Sequence, residues 1–111
     1  MLEMRTRCTP DRKVEIAPAA RRDLDDILDF STDAWGWEQA FLYIDTLYEA
    51  FYRLRTFPGL GIDRSRQSEG LRSFVVGEQM VFYRVFPTLI RVTRVLHVRE
   101  DADAALRRDD D

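Results

Sequence analysis

The chemistry-bearing residues of this chain gather near its end, in the stretch RVLHVRED from Arg94 to Asp101. His97 is the single histidine of the protein. Arg94 and Arg99 flank it, and Arg84 and Arg91 lie in the preceding apolar runs. An imidazole titrates near neutrality and serves as general acid, general base or ligand. It can equally be a packing residue with both ring nitrogens satisfied. Acid–base work also needs a second group within hydrogen-bond reach. The neighbouring acids, Glu69, Glu78 and the pair Glu100–Asp101, fall at strand ends or turns, and the sequence sets none beside His97. His97 is therefore expected to bond a backbone carbonyl or a carboxylate at the end of a sheet. One histidine and one cysteine, Cys8, cannot supply a zinc site. Gly59, Gly61 and Gly70 match neither nucleotide-binding signature. No metal and no cofactor is expected.

The elements that hold these residues follow from periodicity. Residues 1–12 lack it and read as a flexible lead-in. KVEIA, Lys13 to Ala17, alternates like a short strand. Pro18 suits the first turn of a helix, along which Ala20, Leu24, Ile27, Leu28 and Ser31 recur at helical spacing. STDAWGW interrupts the pattern at Gly36, and a second helix runs to about Thr56. Ala40, Ile44, Leu47, Phe51 and Leu54 form its main stripe, and Trp37, Phe41, Tyr48 and Tyr52 a flanking aromatic one. The flanking aromatics are expected to be core. Phe57-Pro58-Gly59 ends the helix. The β-branched and aromatic runs LRSFVV, QMVFYRVF and IRVTRVLHV follow, joined by Gly77-Glu78 and Pro87-Thr88. The order β-α-α-β-β-β predicts an α+β fold, a helical hairpin on one face of a small, mainly antiparallel sheet. The domain spans residues 13–101, with a charged tail over 102–111 whose simplest state is disorder.

Two-residue turns would pair Val76 with Gln79 and Phe86 with Leu89. The period of two then sorts the side chains. Arg72, Phe74, Val76, Gln79, Val81, Tyr83, Val85, Ile90, Val92, Arg94, Leu96 and Val98 should face the helices. Ser73, Val75, Met80, Phe82, Arg84, Phe86, Arg91, Thr93, Val95, His97 and Arg99 should face away. In this register His97 lies off the core, with Arg91 and Arg99.

Bulk properties narrow the function. At 111 residues the chain is one small domain, and 45% hydrophobic with 33% charged residues is ordinary for a soluble fold. No apolar run reaches membrane-span length, and Glu3, Arg5 and Arg7 do not resemble a signal peptide. A cytoplasmic protein is expected. The net charge of −3 argues against sequence-specific nucleic-acid binding. That charge is segregated, however. From Glu15 to Tyr52 nine acids face only Arg21 and Arg22, a balance of −7. From Glu69 to Arg99 five arginines face Glu69 and Glu78, a balance of +3. Solvated faces or two oppositely charged partners both account for this.

The segments GLRSFVVGEQMVFYRV and IRVTRVLHVRED resemble the ParE family of the RelE/ParE toxin superfamily. EIAPAARRDLDDILDF and LRTFPGLGIDR upstream are similar to it in the same order and spacing. The likeness covers roughly residues 14 to 101 and rests on the series F-P-x-L-G, G-L-R-S-F, FYR and R-V-L-H-x-R. It implies the toxin half of a bacterial type II toxin–antitoxin pair, with a ParD-like antitoxin as partner. Within the superfamily, RelE-type members are ribosome-dependent messenger RNA endonucleases that use basic residues with a histidine or tyrosine on the open sheet face. ParE-type members generally lack that set and act by binding DNA gyrase so that its cleaved-DNA state persists.

The resemblance therefore implies a non-enzymatic gyrase toxin. The alternative is a ribonuclease using His97 with Arg84, Arg91 and Arg99. Against the alternative stand Val98, where some ribonuclease relatives carry tyrosine, and Arg72, which the register places on the helix-packed face. The acidic balance also disfavours docking on RNA. Arg84, Arg91 and Arg99 are candidates for meeting antitoxin acids, or else solvated surface. Trp35 and Trp37, between the helices, are either anchor residues for a partner or a staple within the core.

Overall fold

The computed structural model describes residues 12–100 and 102–108. The expected lead-in over 1–12 lies, but for Arg12, outside them. Strand β1 (Lys13–Ile16) leads into α1 (Pro18–Trp35) and α2 (Trp37–Arg53). Then come β2 (Ile62–Asp63), β3 (Arg72–Val76), β4 (Gln79–Val85), β5 (Leu89–His97) and α3 (Ala102–Arg108). The sheet order is β1-β5-β4-β3-β2, with β1 parallel to β5 and the other pairs antiparallel.

Proline at the first position of α1 uses a place where a helix needs no N–H, and Ala17 before it is extended (ψ 154°). Gly36 then separates the helices with a φ of +92°, a conformation that a side chain would strain. Its N–H closes α1 on Thr32 O, and its carbonyl accepts from Ala40 N to begin α2. The single-residue break folds the second helix back on the first.

The hairpin covers one face of the sheet. Ala20 and Leu24 from α1, and Leu47 and Phe51 from α2, are buried with Val81, Val92 and Val95. The stripe expected on α2 is thus its core face. Of the flanking aromatics, Tyr48 packs against this core, edge-on to Phe51, whereas Trp37 (61%), Tyr52 (53%) and Phe41 (50%) are exposed. The expected burial of these three is corrected because α2 packs on α1 and the sheet along one side only. Its other side meets no element among the described residues.

Both turns hold as expected, with Val76 paired to Gln79 and Phe86 N–H bonded to Leu89 O. Arg84 lies opposite Arg91. Past that pair, however, the ladder shifts. Tyr83 pairs Val92 while Phe82 pairs Arg94, so Thr93 is an extra residue in β5, a β-bulge. Its hydroxyl donates to Phe82 O. One extra residue exchanges the faces of everything beyond it. Val95 and His97 therefore share the helix face with Val81 and Gln79, while Arg94 and Leu96 turn to the opposite one.

That opposite face is less open than expected. Residues 102–108 of the tail, expected to be disordered, form α3. Ala105 packs with Leu71, Phe82 and Leu96, and Ala102 and Leu106 add to this second, smaller core.

The bulge coincides with the end of β1. Pairing between β1 and β5 stops at Ile16–Val92, which leaves the next stretch of β5 with an open edge. A carboxylate from α1 covers it. Asp23 accepts Val95 N–H (2.8 Å) and pairs with Arg94 through two bonds of 2.8 and 2.9 Å. The Arg94 guanidinium also donates to Ala105 O. One ion pair thus joins α1, β5 and α3.

Candidate functional site

His97 lies at the far end of β5, half-exposed. Its Nδ1 accepts a hydrogen bond from Arg99 N–H (3.1 Å), which leaves the neutral ring's proton on Nε2. That nitrogen is 3.4 Å from Glu78 Oε1. The sequence set no acid beside His97, and this is corrected. The Gly77-Glu78 turn brings Glu78 alongside because Gln79 pairs with His97 across the ladder. Glu100 is also adjacent, accepting His97 N–H through Oε1 (3.1 Å). At the open edge of β5 the N–H groups of Val95 and His97 are thus each satisfied by a carboxylate.

The basic constellation expected around His97 is not assembled. Arg84 and Arg91 sit five ladder positions from Gln79–His97, roughly 17 Å at strand rise, and on the opposite face. Arg84 donates to Glu69 O and Ser68 Oγ, which fastens the loop before β3. Arg91 pairs with Glu15 on β1 at 2.6 Å. Arg99 meets His97 through its backbone N–H. Arg72 lies on the helix side, as the register places it, opposite Tyr83, and its guanidinium donates to the carbonyls of Gly59 and Gly61. These arginines hold loops and strand ends together. A further one that the sequence reading did not single out, Arg64, donates to Ser73 Oγ (2.8 Å).

What the fold does build beside His97 is a cleft of about 400 Å³. Ile27, Phe30, Trp35, Tyr43 and Val95 give it apolar walls, and Asp23, Asp26, Glu78 and Glu100 contribute carboxylates. Tyr43 closes one side. Its hydroxyl donates to Gln79 Oε1 and accepts from Glu78 N–H, and its ring meets Trp35 edge-on at 6.0 Å. Gly77 permits this approach, since a Cβ there would come within 2.7 Å of the Tyr43 hydroxyl. Trp35 is 54% exposed and belongs to this cleft, while Trp37, edge-on to Phe41, faces outward. Neither tryptophan is a core staple. Asp26, Phe30 and Tyr43 were not foreseen, because their meeting depends on the bulge and on how closely the two helices are joined.

One carboxylate elsewhere has its acidity set by local structure. Asp63 in β2 accepts from both the hydroxyl and the N–H of Ser65, which holds its pKa below the ordinary carboxylate value. Among the described residues no group of three or more His, Cys, Asp or Glu is placed to hold a metal ion. No helix among them is long and apolar enough to cross a membrane.

This fold, a helical hairpin on one face of a mainly antiparallel sheet, is shared with solved chains of toxin–antitoxin systems. A chain of a chromosomal ParDE TA system from P. aeruginosa superposes with a TM-score of 0.68 at 21% identity, covering 78% of this chain and 96% of that one. A chain of the RelBE2 toxin–antitoxin complex from Mycobacterium tuberculosis gives 0.61 at 22% identity, covering 78% and 98%. The family described as ParE toxin of type II toxin-antitoxin system, parDE, matches residues 14–102, and the chain belongs to it. Toxin ParE1 of Mycobacterium tuberculosis is 37% identical over 92 residues, 82% of this chain and 94% of that toxin. Toxin ParE1 of Caulobacter vibrioides is 37% identical over 87 residues, covering 78% and 90%. The protein is thus a type II toxin of the ParE family.

Proposed function

We propose that this toxin arrests growth by binding DNA gyrase and prolonging its cleaved-DNA state, without catalysing a reaction of its own. A ParD-like antitoxin, expected to be encoded beside it, neutralises it in the cytoplasm. The observation that carries this reading is the match of the ParE toxin family across residues 14–102. Geometry supports it from the other side. A superfamily ribonuclease needs basic residues and an acid–base group converging on one open face, whereas here His97 lies on the helix side and Arg84 and Arg91 on the other. His97 is itself held between Arg99 N–H and Glu78, as a structural residue would be.

For the antitoxin, the exposed aromatics of the hairpin offer apolar anchor points, Trp37 and Phe41 among them. Trp35, Trp37, Arg84, Arg91 and Arg99 are proposed contacts for antitoxin or target.

Expression of the toxin without its antitoxin tests the reading. A DNA-damage response with messages intact is expected, and His97→Ala should leave it unchanged. Loss of messages without DNA damage, abolished by His97→Ala, would mean a ribonuclease instead.

A further inference from the structure

We infer that the cleft beside His97 is a receptor for a single arginine side chain, and that the arginine belongs to the antitoxin segment lying on this side of the toxin. The identity of the donor rests on the antitoxin reading above; the cleft's preference for a guanidinium does not.

The preference follows from what lines the cleft. Its wall residues include four carboxylates, Asp23, Asp26, Glu78 and Glu100, and no arginine or lysine. Asp23 is neutralised by Arg94. The remaining acids, Asp26, Glu78 and Glu100, are exposed at its rim and give the space a negative potential. A cation is the complementary occupant. Ile27, Phe30 and Val95 supply the apolar surface along which an aliphatic stem would lie. Trp35 and Tyr43 also line the cleft, and a cation placed over the face of either ring gains a further attraction. Arginine fits better than lysine, since a planar guanidinium stacks on rings and presents several N–H groups to separate carboxylates at once. The space is too small for a helix and suits one long side chain.

The acids also have another task, which makes the site responsive. Glu100 and Asp23 close the open edge of β5 by accepting His97 and Val95 N–H. A bound guanidinium would share Glu100 with that edge, tying the occupant to the strand end rather than to a mobile side chain.

The test uses the full chain and two blocked tripeptides, acetyl-Leu-Arg-Leu-amide and its citrulline counterpart, which keeps the shape of arginine and removes the charge. In NMR titrations the arginine peptide should shift the Trp35 indole and His97 ring signals saturably. The citrulline peptide should bind at least five-fold more weakly, and so should the arginine peptide on a D26N/E78Q/E100Q toxin. Equal binding of both peptides, or shifts confined to other regions, would overturn the inference without depending on any variant's folding. With the antitoxin encoded beside the toxin, the triple variant should lose about ten-fold in affinity, and excess arginine peptide should compete. An antitoxin that binds both toxins alike would show that its segment does not fill the cleft. An antitoxin that fails to bind the unaltered chain would instead sink the antitoxin reading, and with it the proposed donor of the arginine.

Discussion

At the scale of single residues, the charged groups of this toxin are chiefly fasteners. Asp23 is the most heavily used: it joins Arg94 twice and closes the edge of β5 through Val95 N–H. Both side chains are about nine-tenths buried, with 10% and 13% exposed for Arg94 and Asp23. Removing one partner of such a pair leaves the other charge stranded. Asp23→Ala should therefore lower unfolding free energy by about 3–5 kcal/mol in a denaturant titration. A loss below about 1 kcal/mol, the range of surface pairs, would show that the bridge is not a fastener. Asp63 gives a pH-dependent counterpart. Its pKa is depressed in the fold, so its contribution to stability is present above the unfolded carboxylate range and fades as pH falls through the lower folded value. Ser65→Ala removes the hydroxyl donor, and NMR titration of Asp63 should show its pKa rising toward the ordinary value.

At the scale of elements, close approaches decide which substitutions the fold tolerates. Gly61 N–H donates to the Tyr83 hydroxyl, which in turn donates to Pro58 O. A Cβ on Gly61 would collide with the carbonyl oxygen of Ser73 on the neighbouring strand. Gly61→Ala should cost roughly 1–3 kcal/mol, as overpacking does, and a melting temperature unchanged from the parent would refute this packing. The helices and hairpins were legible from sequence because their signals are local: Pro18, Gly36, Phe57-Pro58-Gly59 and the two short turns. The bulge at Thr93 was not, since no glycine or break marks it, and it is set by where β1 stops and Asp23 takes over. That single residue moved Val95 and His97 to the helix face and Arg94 and Leu96 to the other. Helix α3 escaped notice for a different reason. Seven residues are too few to show periodicity, and such a short helix is held by packing of Ala105 and Leu106 rather than by propensity.

At the scale of the whole molecule, the charge segregation seen in the sequence becomes a division of surfaces. The acids of Glu15–Tyr52 lie largely on the helical hairpin, while the arginines of the C-terminal half tie the strands and loops of the sheet together. Phe30 and Trp35, both exposed on the hairpin, line the acidic cleft beside His97, which fits a partner that combines apolar anchors with a cation. Composition alone could not separate core aromatics from such a surface, because both use the same residues at helical spacing. The central claim is that this family member acts on gyrase and not on messages. Purified toxin mixed with gyrase and supercoiled plasmid tests it most directly. The account predicts accumulation of cleaved DNA, equally for His97→Ala and reversed by the antitoxin. Unaltered gyrase activity, together with codon-adjacent message cleavage on translating ribosomes that His97→Ala abolishes, would contradict it.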